Sequence, residues 1–122
     1  MKGACDRISV KPDIIEDVQV GTVLAPGGGA TQVRMAMFLA GFPETVSIST
    51  TNRQCSSGLQ SFAAIASAIR AGYIEVGMAC GVESMSNHDM MSAVGSLNDK
   101  VFENAKAKDS LIPMGQTSEN VA

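Results

Sequence analysis

Tryptophan is missing from the chain, tyrosine occurs once, and the only histidine is His88. One histidine cannot build a zinc site, and no cysteine or carboxylate stands at a ligand spacing from it; a surface position is its default. Cysteines are few: Cys5, Cys55 and Cys80 form no CxxC pair and no disulfide framework. An odd count without a signal peptide fits a reducing or thiol-tolerant compartment. No Lys/Arg cluster occurs, and the net charge is −3, so nucleic acid is not an expected partner. There is no apolar run of membrane-spanning length. Glycine-rich nucleotide signatures also fail. Gly27 and Gly29 follow a strand-like stretch, but the third glycine position falls on Gln32, and no Gly-Lys-Ser/Thr occurs. A plain turn is the reading there.

What is present is a long uncharged stretch between Arg53 and Arg70. Leu59, Phe62, Ala63, Ala64, Ile65, Ala66, Ala68 and Ile69 point all the way round a helix axis at about 100° per residue. A helix apolar on every side is expected to be buried on every side, its Ala and Ser residues letting other layers approach closely. Cys55 stands at the entrance to it. Free backbone N–H groups and the positive end of the macrodipole gather there and stabilise a thiolate. The residues alone leave two roles open for Cys55, a nucleophile or a small buried hydrophobe.

Taken in order, Ala4, Cys5 and Ile8 suggest one face of a short helix ending before Lys11-Pro12. Asp17–Leu24 reads as a strand carrying Val18, Val20 and Val23. Ala30–Ala40 reads as a helix with Val33, Ala36, Met37 and Ala40 on one face, stopped by Gly41 and Pro43. Thr45–Thr51 alternates as a strand, and so does Tyr73–Cys80 with Ile74, Val76 and Met78. Gly72 separates the helix from that last strand. Strand, helix, strand, helix, strand with short connections predicts βαβ units and a parallel sheet in an α/β fold. Beyond it, Met90, Met91, Val94 and Leu97 hint at a helix, Phe102–Lys108 is mildly helical, and Ser118–Ala122 resembles a first helical turn. Cys80 reads as buried filler. Glu83 fits a site-wall acid and a structural hydrogen-bonding residue equally well.

Asn52-Arg53-Gln54-Cys55-Ser56-Ser57-Gly58-Leu59-Gln60 resembles the nucleophile segment of the thiolases, most closely the degradative 3-ketoacyl-CoA thiolases of peroxisomal type. Gly41-Phe42-Pro43-Glu44-Thr45-Val46 before it, and Gly81-Val82-Glu83-Ser84-Met85-Ser86 after it, fit the same family. So do Leu111-Ile112-Pro113-Met114-Gly115 and Thr117-Ser118-Glu119-Asn120-Val121-Ala122. The likeness runs through nearly the whole chain, with residues 86–104 matching loosely.

That resemblance implies an incomplete thiolase-like fold, the parallel βαβαβ half of a layered α-β-α-β-α architecture. Residues 1–85 would be part of the N-terminal core, and 86–122 the start of the loop domain over the active site. It implies an N-terminal-half fragment of an acyltransferase of fatty-acid β-oxidation. Cys55 would carry the acyl group as a thioester, and its backbone N–H would face the oxyanion. Met114 would lie against the acyl pocket. The partners implied are acyl-CoA and CoA as substrates and a second subunit in a homodimer. No cofactor and no metal are implied. The compartment would be the peroxisome, with the targeting segment outside these residues. The family's base histidine and second cysteine sit in Gly-rich motifs that do not occur here. His88 and Cys80 match neither, so the chain alone is expected to be inactive or nearly so, and aggregation-prone. A non-catalytic thiolase-like interaction piece, a biosynthetic acetoacetyl-CoA thiolase parent and a Cys-dependent hydrolase are the alternatives.

Overall fold

The computed structural model describes residues 1–91 and 94–122. Its core is built from α1 (Lys2–Ile8), β1 (Asp17–Gly21), α2 (Ala30–Leu39), β2 (Ser47–Thr51), α3 (Ser57–Arg70) and β3 (Gly77–Gly81). Two short helices follow, α4 (Ala105–Asp109) and α5 (Met114–Val121), with 3-10 turns at Pro12–Ile14, Pro26–Gly29 and Asp99–Glu103. Among the described residues no helix is long and apolar enough to cross a membrane.

The three strands are parallel and lie in the order β2-β1-β3. Gly21 is opposite both Thr51 and Gly81, so all three strands end at one level. Alternation then divides the sheet into two faces. Val18 and Val20 are buried on one of them with Cys5, Val33, Met37, Phe42 and Val46. Gly21, Gly77 and Gly81 lie on the other, beneath α3. The predicted α/β parallel arrangement is therefore the observed one, with the sheet between α1–α2 and α3.

Each strand is shorter than its sequence pattern predicts, because side chains or local backbone turns take the amides at the ends. Val23 and Leu24 donate to the Glu83 carboxylate rather than to a neighbouring strand. Glu75 and Val76 donate to Glu16 in the same way. Tyr73 donates to Ala68 and closes α3. Val46 donates to Pro43 in a turn. The guanidinium of Arg34 stacks 4.5 Å over Phe38 and donates to the carbonyls of Glu44 and Val46, tying that turn to α2.

Three expectations about helices are corrected. In α1, Cys5 is 2% exposed but Ile8 is 69% exposed. The chain turns left-handed at Ser9 (φ 54°), which ends the helix, and Cys5 is the one α1 residue that reaches the core. In α2 only Val33 and Met37 are buried, while Ala36 is exposed and Ala40 half-buried. The largest departure is α3. Ser57, Ser61 and Ile65 are buried against the sheet, but Leu59, Phe62 and Ile69 are 70%, 63% and 42% exposed. A single sheet covers a single stripe of the helix, and among the described residues no layer covers Leu59, Phe62 and Ile69.

Gly27, Gly28 and Gly29 all adopt positive φ (61°, 76°, 73°) in a tight turn, in keeping with the plain-turn reading. Downstream, the described residues between Met90 and Leu97 are turn and irregular; Ser92 and Ala93 lie outside the described residues. The Phe102–Lys108 stretch divides between the 3-10 turn and α4, where Asn104 Oδ1 caps the Ala107 amide at 3.1 Å. The last helix begins at Met114, directly after Pro113, four residues before the predicted turn at Ser118.

Candidate active site

The central strand β1 runs into the N-terminus of α3 almost backbone to backbone. A Cβ built on Gly21 would stand 2.3 Å from the Ser57 carbonyl carbon and 2.5 Å from the Gly58 nitrogen. Only a residue without a side chain allows that approach. From the other side, Ser61 Oγ lies 2.8 Å from both the Gly58 and the Cys80 carbonyls, pinning the first turns of α3 to β3.

Five residues, 52–56, join β2 to this helix, and their conformation is fixed by short-range hydrogen bonds. Gln54 has φ 51°, a left-handed conformation costing about 1–2 kcal/mol for a residue with a side chain. Asn52 Oδ1 accepts the Gln54 amide at 3.0 Å and supports it. Ser57 Oγ accepts the Arg53 amide at 2.9 Å and donates to the Gln54 carbonyl at 2.5 Å. Ser56 Oγ donates to the Arg53 carbonyl at 2.8 Å. Arg53 reaches Gln60 Oε1 at 2.5 Å. The result is a tight loop that leaves the thiol of Cys55 exposed two residues before α3 begins. The helix dipole is aimed at that position.

Cys55 borders a cavity of about 460 Å³ at the carboxyl ends of the strands. Gly21, Thr22, Val23 and Leu24 of the central strand and its continuation line it, with Ser57 and Gly58 of α3. Val82, Glu83, Met85 and Met90, beyond β3, line it too. A ligand crevice outside the carboxyl ends of parallel strands is the usual location in open α/β sheets. The lining is mainly apolar, and among the described residues that form it Glu83 is the one ionisable group besides the thiol. That carboxylate is occupied: Oε2 accepts Val23 N at 2.8 Å, and Oε1 accepts Leu24 N at 3.0 Å and Thr22 Oγ1 at 3.3 Å. Of the two roles open to Glu83, the structural hydrogen-bonding one is realised, within the cavity rim.

Of the predicted site residues, Cys55 sits at the cavity. Met114 does not line it: it begins α5 and is 63% exposed, whereas Met85 and Met90 occupy the rim. Cys80 is half-buried, packs against the core and lies outside the lining. Its burial pushes the thiol above the ordinary range. His88 is half-buried outside the lining, its amide bonded to the Ser84 carbonyl. Among the described residues no group of three or more His, Cys, Asp or Glu side chains gathers as for a metal ion. The pairing of Gly21 with α3, the Asn52 brace and the two rim methionines were not found from the sequence. An isolated glycine inside a strand pattern was the one available signal, for Gly21.

An exposed thiol before a 14-residue helix, beside a mainly apolar cavity, can attack a carbonyl and retain the acyl group. The family model described as thiolase, N-terminal domain, matches residues 1–122. The chain is 54% identical over 122 residues to peroxisomal 3-ketoacyl-CoA thiolase of Homo sapiens, covering 100% of this chain and 28% of that protein. It is 54% identical over 120 residues to peroxisomal 3-ketoacyl-CoA thiolase B of Mus musculus, covering 94% of this chain and 27% of that one. The dimeric peroxisomal thiolase of Saccharomyces cerevisiae superposes with a TM-score of 0.82 at 43% identity, covering 89% of this chain and 28% of that structure. The chain thus spans little more than a quarter of the length of the relatives it matches. The family model's match over residues 1–122 shows that the chain belongs to the thiolase family, matching its N-terminal domain.

Proposed function

We propose that these residues are the nucleophile-bearing part of a 3-ketoacyl-CoA thiolase, an acyltransferase of fatty-acid β-oxidation. The observation that carries the reading is the exposed Cys55 thiol at the α3 entrance, on the rim of a mainly apolar cavity. The Cys55 sulfur, as thiolate, attacks the 3-keto carbon of a 3-ketoacyl-CoA. The C2–C3 bond breaks, its electron pair leaves on C2, and protonation there gives acetyl-CoA. The shortened acyl group stays on Cys55 as a thioester, which the thiolate of free CoA then attacks to release acyl-CoA and the cysteine. Backbone N–H donors at the loop, that of Cys55 among them, would stabilise the tetrahedral oxyanion.

CoA enters as a substrate, and the reading calls for no cofactor. The base that takes the thiol proton and the acid that protonates the leaving carbanion are assigned to residues outside these 122. Turnover by the chain alone is accordingly expected to be absent or nearly so. The names of the relatives support a peroxisomal compartment, and the dimeric yeast neighbour supports a homodimer. Met114 is retained as an acyl-pocket residue only in a rearranged or complete assembly. The test is mass spectrometry of the complete polypeptide holding these residues, quenched during turnover of a 3-ketoacyl-CoA. An acyl adduct on the Cys55 peptide, and loss of both adduct and turnover in Cys55→Ala, is expected. Turnover that survives Cys55→Ala would overturn the reading.

A further inference from the structure

Beyond Gly21 the three strands separate. Thr22 N still reaches the Thr51 carbonyl at 3.1 Å, and Val82 N the Gly21 carbonyl at 3.0 Å, and there the ladder ends. The next two amides of the central strand, Val23 and Leu24, are the ones a strand end ordinarily leaves to water. Here both donate to Glu83, some sixty residues away in sequence, and the Thr22 hydroxyl makes a third donor. Leu24 is buried, so its amide has little solvent to fall back on. Hydrogen bonds to an ionised acceptor are about twice as strong as neutral ones.

The Val23 peptide is held at its other end as well. Its carbonyl accepts Asn52 Nδ2 at 3.4 Å, while Asn52 Oδ1 holds the left-handed Gln54 immediately before Cys55. A continuous path of hydrogen bonds therefore runs from Glu83, through the Val23 peptide and Asn52, to the residue that aims the thiol.

We propose that Glu83 is a positioning residue for Cys55, acting through the Val23 peptide and Asn52. The catalytic part of the claim rests on the function proposed above; the structural part does not. A glutamine has the same length but only one acceptor oxygen, and its NH2 would face an amide donor. Glu83→Gln should therefore loosen the strap without removing bulk.

Two measurements on the full chain decide the matter. The first is amide hydrogen exchange at Val23, Leu24 and Gln54. Glu83→Gln is expected to speed exchange roughly tenfold or more at Val23 and Leu24 and several-fold at Gln54, which Glu83 does not touch. In Asn52→Asp, the carboxylate still accepts Gln54 N but cannot donate to Val23. Adding Glu83→Gln to that background should leave Gln54 unchanged. Faster exchange at Val23 and Leu24 with Gln54 unaltered in the single variant would overturn the proposal, reducing Glu83 to a local clasp. If Glu83→Gln does not fold, Thr22→Val removes one donor and is read at the same three amides.

The second is turnover per alkylatable Cys55 in the complete polypeptide. A fall of about tenfold in kcat with KM within about twofold is expected, since loss of folded enzyme alone would not change turnover per site. Unchanged turnover per site would overturn the catalytic role. Failure of wild-type turnover would instead count against the function proposed above, with the exchange data still deciding the relay.

Discussion

Gly21 and Ser57 meet so closely that no side chain can stand between them: a Cβ on Gly21 would lie 2.3 Å from the Ser57 carbonyl carbon and 2.4 Å from its oxygen. Both obstructing atoms are backbone, so a rotamer change cannot relieve them. The contact sets where α3 starts, and hence where Cys55 sits. Gly81, opposite Gly21 in the sheet, differs: its nearest neighbour is the Gly58 Cα at 3.6 Å, an ordinary contact. Gly21→Ala is expected to cost at least the upper part of the roughly 1–3 kcal/mol typical of overpacking. Gly81→Ala should stay within about 0.5 kcal/mol of the parent. Denaturant midpoints of the two variants check this, and equal midpoints would contradict the geometry.

Ser61 is fully buried, and its hydroxyl spans the Gly58 and Cys80 carbonyls at 2.8 Å each. It is the polar fastening between α3 and β3, while Ile65 supplies the apolar one a turn later. Ser61→Ala removes the hydroxyl without adding volume and is expected to destabilise by about 1 kcal/mol. Ser67→Ala on the exposed side of the same helix should be near neutral. Urea unfolding followed by circular dichroism distinguishes them; a neutral Ser61→Ala would mean that the helix is held by packing alone.

Much of this was readable in advance because the relevant information is local. Val18 and Val20 alternate, Gly41 ends a helix, and the stretch after Cys55 has helical composition. What the sequence could not show was which distant groups take the amides at strand ends. Glu16 and Glu83 do so, across about sixty residues, and both shorten the strands that alternation predicts. Composition also overstated the burial of α3. Apolar residues around the whole axis describe what the helix tolerates, whereas the layers present decide which side is covered. Cys55 was legible as a site through its small polar neighbours and its family motif. Met85 and Met90 were not, since a rim methionine and a packing methionine look alike in one sequence.

Burial pushes the Cys80 thiol above its ordinary value, with the neighbouring Cys5 acting in the same direction and the N-terminal charge opposing. The fold therefore favours the neutral thiol. An unfolded chain releases this proton from about pH 8.5, while the folded chain keeps it to higher pH. The unfolded state then binds fewer protons, so stability falls as pH rises from that point through the folded value. Denaturant midpoints at about pH 7 and about pH 10 are expected to separate more in the parent than in Cys80→Ala. Equal losses in the two proteins would show that Cys80 does not contribute to the alkaline limb.

Phe62 and Ile65 lie three residues apart on α3, only about 60° round its axis, yet the edge of the sheet contact falls between them: Ile65 is buried against the sheet, where its Cγ2 would be 2.7 Å from a Cβ on Gly77, and Phe62 is exposed. In the 122-residue chain, Phe62→Gln should change the unfolding free energy by no more than about 0.5 kcal/mol. Ile65→Ala should cost about 2–5 kcal/mol. Leu59, Phe62 and Ile69 also make an apolar strip of the kind that drives association, so Phe62→Gln should reduce self-association in sedimentation experiments. The family resemblance adds a sharper contrast. Where a further layer covers α3 in a longer polypeptide, removing the ring leaves a cavity and a buried amide in place of an exposed one. There the same Phe62→Gln substitution should cost about 3–5 kcal/mol, the range for deleting a buried aromatic side chain. A substitution that is neutral in both settings would mean that nothing packs on this side of the helix in either, and one costly in both would mean that the short chain covers the strip by pairing with itself.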